Sequence, residues 1–232
     1  MKTLGLIGGT SWESTVDYYR RLNEGVRERL GGLHSSRMIL SSVDFAGFAE
    51  RMSAGDWDAV AEMLHAEARL LKRAGADALL ICSNTMHKAA DGIEAALDIP
   101  VLDIREACGR ALVAAGARKP LLLGTRYTMA DNFFSGYLRT RFGVDPVVPG
   151  ASDQALIDRV IFDELCKGVV RPASRNAYEE IIAGFPHADS LIFGCTEIGM
   201  LLDPASCGKP VFDNLRLHVA AALTFALEKD PQ

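Results

Sequence analysis

The stretch LLICSNTMH, Leu79–His87, breaks off an apolar run on a cysteine followed by three small polar residues. A run this short, closed by small residues, reads as a buried strand and not as a helix. Its larger context, GADALLICSNT from Gly75, returns as HADSLIFGCTE from His187. Two further segments repeat in the same order: KTLGLIGGT from Lys2 as KPLLLGTRYT from Lys119, and IPVLDIREA from Ile99 as KPVFDNLRL from Lys209. The matched anchors Gly8/Gly124, Asp77/Asp189 and Asp103/Asp213 lie 116, 112 and 110 residues apart. Three pairs in one order at nearly one offset mark a duplication, and a period this long gives two α/β halves instead of a solenoid.

Outward from these anchors, short apolar runs alternate with longer helical patterns, as parallel βα units require. Strands are expected at Thr3–Gly8, Arg37–Val43, Ala78–Cys82, Val101–Asp103, Pro120–Gly124, Val144–Val148, Ser190–Gly194 and Val211–Phe212. Helices are expected at Ser14–Leu30, Trp57–Ala74, Arg105–Ala115, Ala130–Arg141, Ala155–Leu165, Pro172–Gly184 and Leu215–Leu227. The fold class is therefore α/β, with two halves of about four parallel strands each flanked by helices. Residues 1–101 plus 211–232 are expected to form a discontinuous first half, completed by the last helix, and 102–210 the second. Ligands of open α/β sheets sit beyond the carboxyl ends of the strands, so two facing halves would share one cleft.

The totals agree with such a molecule. With 232 residues, 49% of them hydrophobic, the chain has enough apolar material for a proper core. A net charge of −5 with both signs interspersed argues against a nucleic-acid or membrane partner and for a small soluble ligand. The apolar run in MKTLGLIGG is too short for a signal peptide, and no segment reaches the roughly 18 apolar residues of a spanning helix, so a cytoplasmic location is expected. Five cysteines, none in a CxxC pair, fit free thiols in a reducing compartment better than a disulfide framework or a zinc finger.

Which residues carry chemistry? GLIGGTSW lacks the GxGxxG spacing, and the first acid after the next strand is Asp44, too far on for a ribose contact, which argues against a dinucleotide. Its loop, with Gly9 and Thr10, still offers backbone N–H groups to an anion such as a carboxylate, or is simply a tight turn. Cys108, Cys166 and Cys207 read as small buried hydrophobes. Cys82 and Cys195, within a one-residue slip, end equivalent strands of the two halves, beside hydroxyl, amide and N–H donors that favour a thiolate. Opposed across a cleft, two thiols suit removal of a proton from one face of a carbon and its return on the other, one acting as thiolate and one staying protonated. Without a cofactor the developing charge must be stabilised electrostatically, with Asn84, Thr85, Thr196 and loop amides as donors.

No Schiff-base lysine with a phosphate cup marks a pyridoxal phosphate site. Lys167 and Arg51 read either as surface charges or as clamps for a carboxylate, the surface reading being the stronger one from the residues alone. Glu197 either supports Cys195 as a relay or caps the following helix, the site role being slightly preferred. Cys82 with His87 lacks a second convergent ligand pair, so no metal is expected. Trp12 and Trp57 read as packing residues.

Taken together, GLIGGTSWEST, ICSNTMH and GCTEIG resemble the aspartate/glutamate racemase superfamily, specifically its pyridoxal-independent amino-acid racemases, over essentially the whole chain. The resemblance implies two flavodoxin-like halves related by a pseudo-twofold axis, a homodimer, an amino-acid substrate and no cofactor. It also implies that Cys82 and Cys195 exchange protons with the substrate α-carbon. Gly9, Thr10, Ser83, Asn84, Thr85, Thr196 and Glu197 would line the substrate site, with Lys167 and Arg51 as less secure matches. GGT at Gly8–Thr10 departs from the GGM common in relatives, which touches pocket shape and side-chain preference. A maleate isomerase or decarboxylase of the same superfamily, and a small-acid binding protein without turnover, are the alternative readings.

Overall fold

The computed structural model describes residues 1–228. Positions 229–232 of the expected first half lie outside them. Two compact units emerge: Met1–Asp103 together with the described chain from His218 on, and Ile104–Leu217.

The first unit runs β1 (Leu4–Gly8), α1 (Trp12–Leu30), β2 (Met38–Ser42), α2 (Phe45–Ala54), α3 (Trp57–Arg73), β3 (Ala78–Ile81), a 3-10 turn (Thr85–Ala89), α4 (Ile93–Leu97) and β4 (Val101–Leu102). Its four strands pair in the order β2-β1-β3-β4, all parallel. Strands β1 and β3 are buried along their whole length, as central strands with crossover helices must be. The second unit runs α5 (Ile104–Ala114), β5 (Leu121–Leu123), α6 (Arg126–Ala130), α7 (Asn132–Phe142), α8 (Ala151–Asp163), α9 (Pro172–Ala183), β6 (Leu191–Phe193), α10 (Ile198–Leu201) and β7 (Val211–Asp213). Here β5-β6-β7 pair in parallel. The last helix, α11 (Asn214–Leu227), begins in the second unit and passes to the first at His218.

The duplication is visible element by element. Strand β3 follows β1 in its sheet as β6 follows β5, and β4 and β7 take the next positions. The repeated aspartates explain themselves as strand anchors. Asp77 accepts the Thr3 N–H at 2.6 Å, and Asp189 accepts those of Arg118 and Lys119, each at 2.7 Å, just before β1 and β5. Asp213 accepts the Leu215 N–H at 3.0 Å and so caps α11, satisfying a donor that the helix leaves without an internal partner.

Four expectations need correction. Val144–Val148 is not a strand; only Val147 bridges to Leu121, the Asp145 and Val147 N–H groups reaching the Arg118 and Pro120 carbonyls, and Pro149, next in that alternation, lacks the N–H that would continue the ladder. The second sheet therefore has three strands among the described residues. The second unit extends beyond 210, to Leu217, because β7 pairs with β6 and not with the first sheet. The single helix expected over Ala130–Arg141 is two, interrupted where Asp131 turns extended (φ −87°, ψ 152°).

Helix α2 had no counterpart in the sequence reading, although its ends are well marked. Asp44 accepts the Ala46 N–H at 3.1 Å at the start, and Gly55 takes the left-handed conformation at the end (φ 73°).

Candidate active site

In the first unit the carboxyl ends of β1 and β3 are neighbours, since Ile7 stands opposite Ile81 in the ladder. The loop after β1 is shaped by Gly9. Its φ is +90°, and a Cβ there would lie 2.3 Å from the Val43 carbonyl oxygen, so no other residue fits this backbone. The Gly9 N–H donates to Thr15 Oγ1 at 2.9 Å, and Thr15 Oγ1 donates to the Ser11 carbonyl at 3.0 Å, tying the loop to the first turn of α1. Thr10 follows with its hydroxyl buried and without a hydrogen-bond partner in the structure. A buried hydroxyl in that condition is costly unless something else satisfies it.

Beside this loop, Cys82 follows directly on β3. Its N–H donates to the Ile7 carbonyl at 2.9 Å, and that of Ser83 to Ile81 at 2.8 Å. Ser83, Asn84 and Thr85 are all buried, which is unusual for three consecutive polar residues at a strand end. His87, fully buried in the 3-10 turn, holds the Ser83 carbonyl through Nδ1 at 2.7 Å.

In the second unit β6 is followed by Gly194, whose N–H donates to the Leu123 carbonyl at 2.7 Å. Cys195, Thr196 and Glu197 follow, all buried. Cys195 Sγ donates to Glu197 Oε2 at 2.8 Å, and Thr196 Oγ1 donates to the same oxygen at 2.9 Å. One oxygen of a carboxylate only 2% exposed thus collects both a thiol and a hydroxyl. Glu197 makes no side-chain cap to α10, so the capping reading fails. The two units thus present the same layout: a cysteine at or just past the end of the strand that follows the first of its half, flanked by buried polar residues.

This layout stands within a chain of known kind, for a sequence profile of the Asp/Glu/Hydantoin racemases matches residues 7–222. The chain belongs to the Asp/Glu/hydantoin racemase family. Among similar proteins, the broad specificity amino-acid racemase RacX of Bacillus subtilis (strain 168) is 23% identical over 222 residues, covering 91% of this chain and 92% of that one. The crystal structure of a candidate Asp/Glu racemase from Yersinia pestis shares 44% identity and a TM-score of 0.90, covering 98% of this chain and all of that one. That of an aspartate racemase homologue from Pyrococcus horikoshii OT3 shares 29% identity and a TM-score of 0.84, covering 98% and 100% of the two chains.

In this Asp/Glu/hydantoin racemase family member, burial pushes the thiols of Cys82 and Cys195 up, and at Cys195 the Glu197 charge, which opposes a second anion, acts in the same direction. The expectation that strand-end donors hold one of them as a thiolate is therefore corrected: desolvation outweighs the donors. Arg51 and Lys167 are both exposed. Arg51 lies 3.8 Å from Asp56 and Lys167 3.7 Å from Asp163, pairings typical of surface charges. Of the other cysteines, Cys108 is buried in the apolar core of the second unit, whereas Cys166 and Cys207 are only partly covered. Trp12 is 59% exposed, against the packing role expected for it, and Trp57 carries the Lys88 ammonium over its ring at 4.1 Å.

Among the described residues no group of three His, Cys, Asp or Glu side chains is arranged to hold a metal ion, and no helix is long and apolar enough to cross a membrane. The residues that sequence reasoning left without a role are Tyr18 and His218. Tyr18 Oη donates to His218 Nδ1 at 2.8 Å, and the His218 ring packs edge-on to His87. Only the buried polar character of His218 within an otherwise apolar helix stretch, LHVAAAL, signalled it.

Proposed function

We propose that this protein is a cofactor-independent amino-acid racemase in which Cys82 and Cys195 are the two acid/base groups of a 1,1-proton transfer at the α-carbon. The observation that carries the reading is the Cys195–Glu197 pair, read together with its counterpart cysteine at the equivalent strand end. A thiol already hydrogen-bonded to a buried carboxylate needs only a short proton shift to become a base.

In one direction Cys195 passes its proton to Glu197 Oε2, and the thiolate takes the α-hydrogen. The carbanion then takes the Cys82 proton on its other face, which inverts the centre and leaves Cys82 as thiolate until exchange with solvent restores both groups. The reverse direction uses the same groups in the opposite order. The α-hydrogen of an amino acid is weakly acidic, so the carbanion and its carboxylate must be met by preorganised donors. Thr10, Ser83, Asn84, Thr85 and Thr196, with the Gly9 loop, supply them in this reading. Arg51 and Lys167 would have to leave their surface partners to clamp a side-chain carboxylate, which supports testing neutral amino acids beside aspartate and glutamate.

The test is a screen of all proteinogenic amino acids in heavy water. Deuterium is expected at the α-position of at least one of them, with loss of optical rotation, and Cys82→Ala and Cys195→Ala should each abolish racemisation. No exchange with any amino acid would sink the reading and leave a ligand-binding protein or another superfamily reaction. A homodimer belongs to the same proposal, and sedimentation equilibrium that returns a single-chain mass would remove that part of it.

A further inference from the structure

The first unit buries two imidazoles and a phenol whose hydrogen bonds place a proton on one named atom of each. His218 Nε2 lies 2.6 Å from the Leu102 carbonyl, which only accepts, so Nε2 carries the proton. Nδ1 is then bare and accepts from Tyr18 Oη at 2.8 Å. His87 Nδ1 lies 2.7 Å from the Ser83 carbonyl and is by the same argument the protonated nitrogen. The two rings meet edge to face, with centroids 6.0 Å apart and planes at 71°, and Tyr18 stands edge-on to His218 at 5.7 Å. All three side chains are fully buried.

These three residues come from α1, the 3-10 turn and α11, and their acceptors are the residue after Cys82 and the end of β4. A histidine that holds a backbone carbonyl fixes the direction of that peptide, and with it the path of the residues on either side. Here the held peptide is Ser83–Asn84, directly after Cys82 and directly before the Asn84 and Thr85 side chains. The neighbouring anchor on the other side, the Cys82 N–H to Ile7, leaves the sulfur suspended between two fixed points.

We propose that His87 is a positioning residue for Cys82, with His218, locked in one tautomer by Tyr18 and Leu102, as the wall that sets the His87 ring. The proposal deepens the racemase reading and rests on it for its kinetic consequence, but the positioning itself is measurable without turnover. His87→Leu keeps bulk and loses the donor. His87→Asn places an amide N–H where Nδ1–H stood.

His87→Leu is expected to lower kcat by at least about tenfold with KM within about threefold, and His87→Asn to recover most of that loss. In parallel, backbone hydrogen exchange of the segment containing Ser83–Thr85 should quicken about tenfold in His87→Leu and return toward wild type in His87→Asn. Thermal midpoints identify any variant that does not fold. Should both variants fail to fold, nitrogen-15 spectra of the wild-type histidines decide, with His87 in the Nδ1–H form and His218 in the Nε2–H form expected. Wild-type kcat and exchange in His87→Leu, equal damage in both variants, or His87 in the Nε2–H form would each overturn the proposal. If the wild-type protein racemises nothing, the racemase reading falls, and the exchange and tautomer results alone judge the positioning.

Discussion

A single carboxylate separates two ways of using the GCTE segment. Glu197 is far too buried to serve as a surface cap, and its oxygen collects both Cys195 Sγ and Thr196 Oγ1. Glu197→Gln keeps the shape and removes the charge. We expect kcat to fall by about 10²-fold, the usual scale for losing a positioned acid/base group, with KM little changed. Because the Glu197 charge raises the Cys195 thiol, the same substitution should lower it, so that Cys195 alkylates faster at a given pH. Unchanged turnover and unchanged alkylation would return Glu197 to a structural role. Gly9 makes a second residue-scale prediction. Gly9→Ala faces both a left-handed φ and the Val43 carbonyl at 2.3 Å, and should destabilise by at least about 1–3 kcal/mol in urea unfolding. Glycine there was legible as part of a GG turn; the collision that demands it was not, because the carbonyl comes from a residue after β2.

At the scale of elements, parallel strands with buried faces were readable because each is a short apolar run punctuated by small residues. The run at Val144–Val148 looked the same and failed: the Asp145 and Val147 N–H groups do reach the neighbouring chain, but Pro149, next in that alternation, has no N–H to carry the ladder on. Helix α2 went unread because FAGFAERMSA mixes glycine and serine into a weak pattern, and what stabilises its ends is capping. Asp44→Ala is accordingly expected to cost about 1 kcal/mol through loss of the Ala46 N–H acceptor, measured by urea midpoint, whereas a mid-helix surface change should cost much less.

For the whole molecule, the buried imidazole of His218 ties the end of the chain to its beginning and makes stability depend on pH. Burial first, then the neighbouring His87, pushes His218 down to about 3 from its ordinary 6.5, against the Leu102 carbonyl and the Asp103 charge, which act the other way. Tyr18 faces it from α1 as a neutral donor. Between those two pH values the unfolded chain holds the His218 proton and the folded chain does not. Stability contributed by this group is therefore full above pH 6.5 and falls steadily on going down toward 3. Urea unfolding of the wild type against His218→Gln checks this: the variant should show a shallower loss between pH 7 and pH 5. Equal slopes would show that His218 is not the group responsible.

What the sequence determined by itself is the local and the repeated: apolar runs that must become buried strands, helical patterns between them, and a duplicated order that sets two cysteines at equivalent strand ends. These are readable because they depend on neighbours along the chain and on comparison of the chain with itself. Tertiary structure alone decided the rest. The raised thiols, the carboxylate beside Cys195, the tautomers of two histidines 131 residues apart and the continuation of the second unit past β7 all depend on which groups lose water together. Desolvation and hydrogen-bond partnership are properties of space, and no spacing in the sequence encodes them.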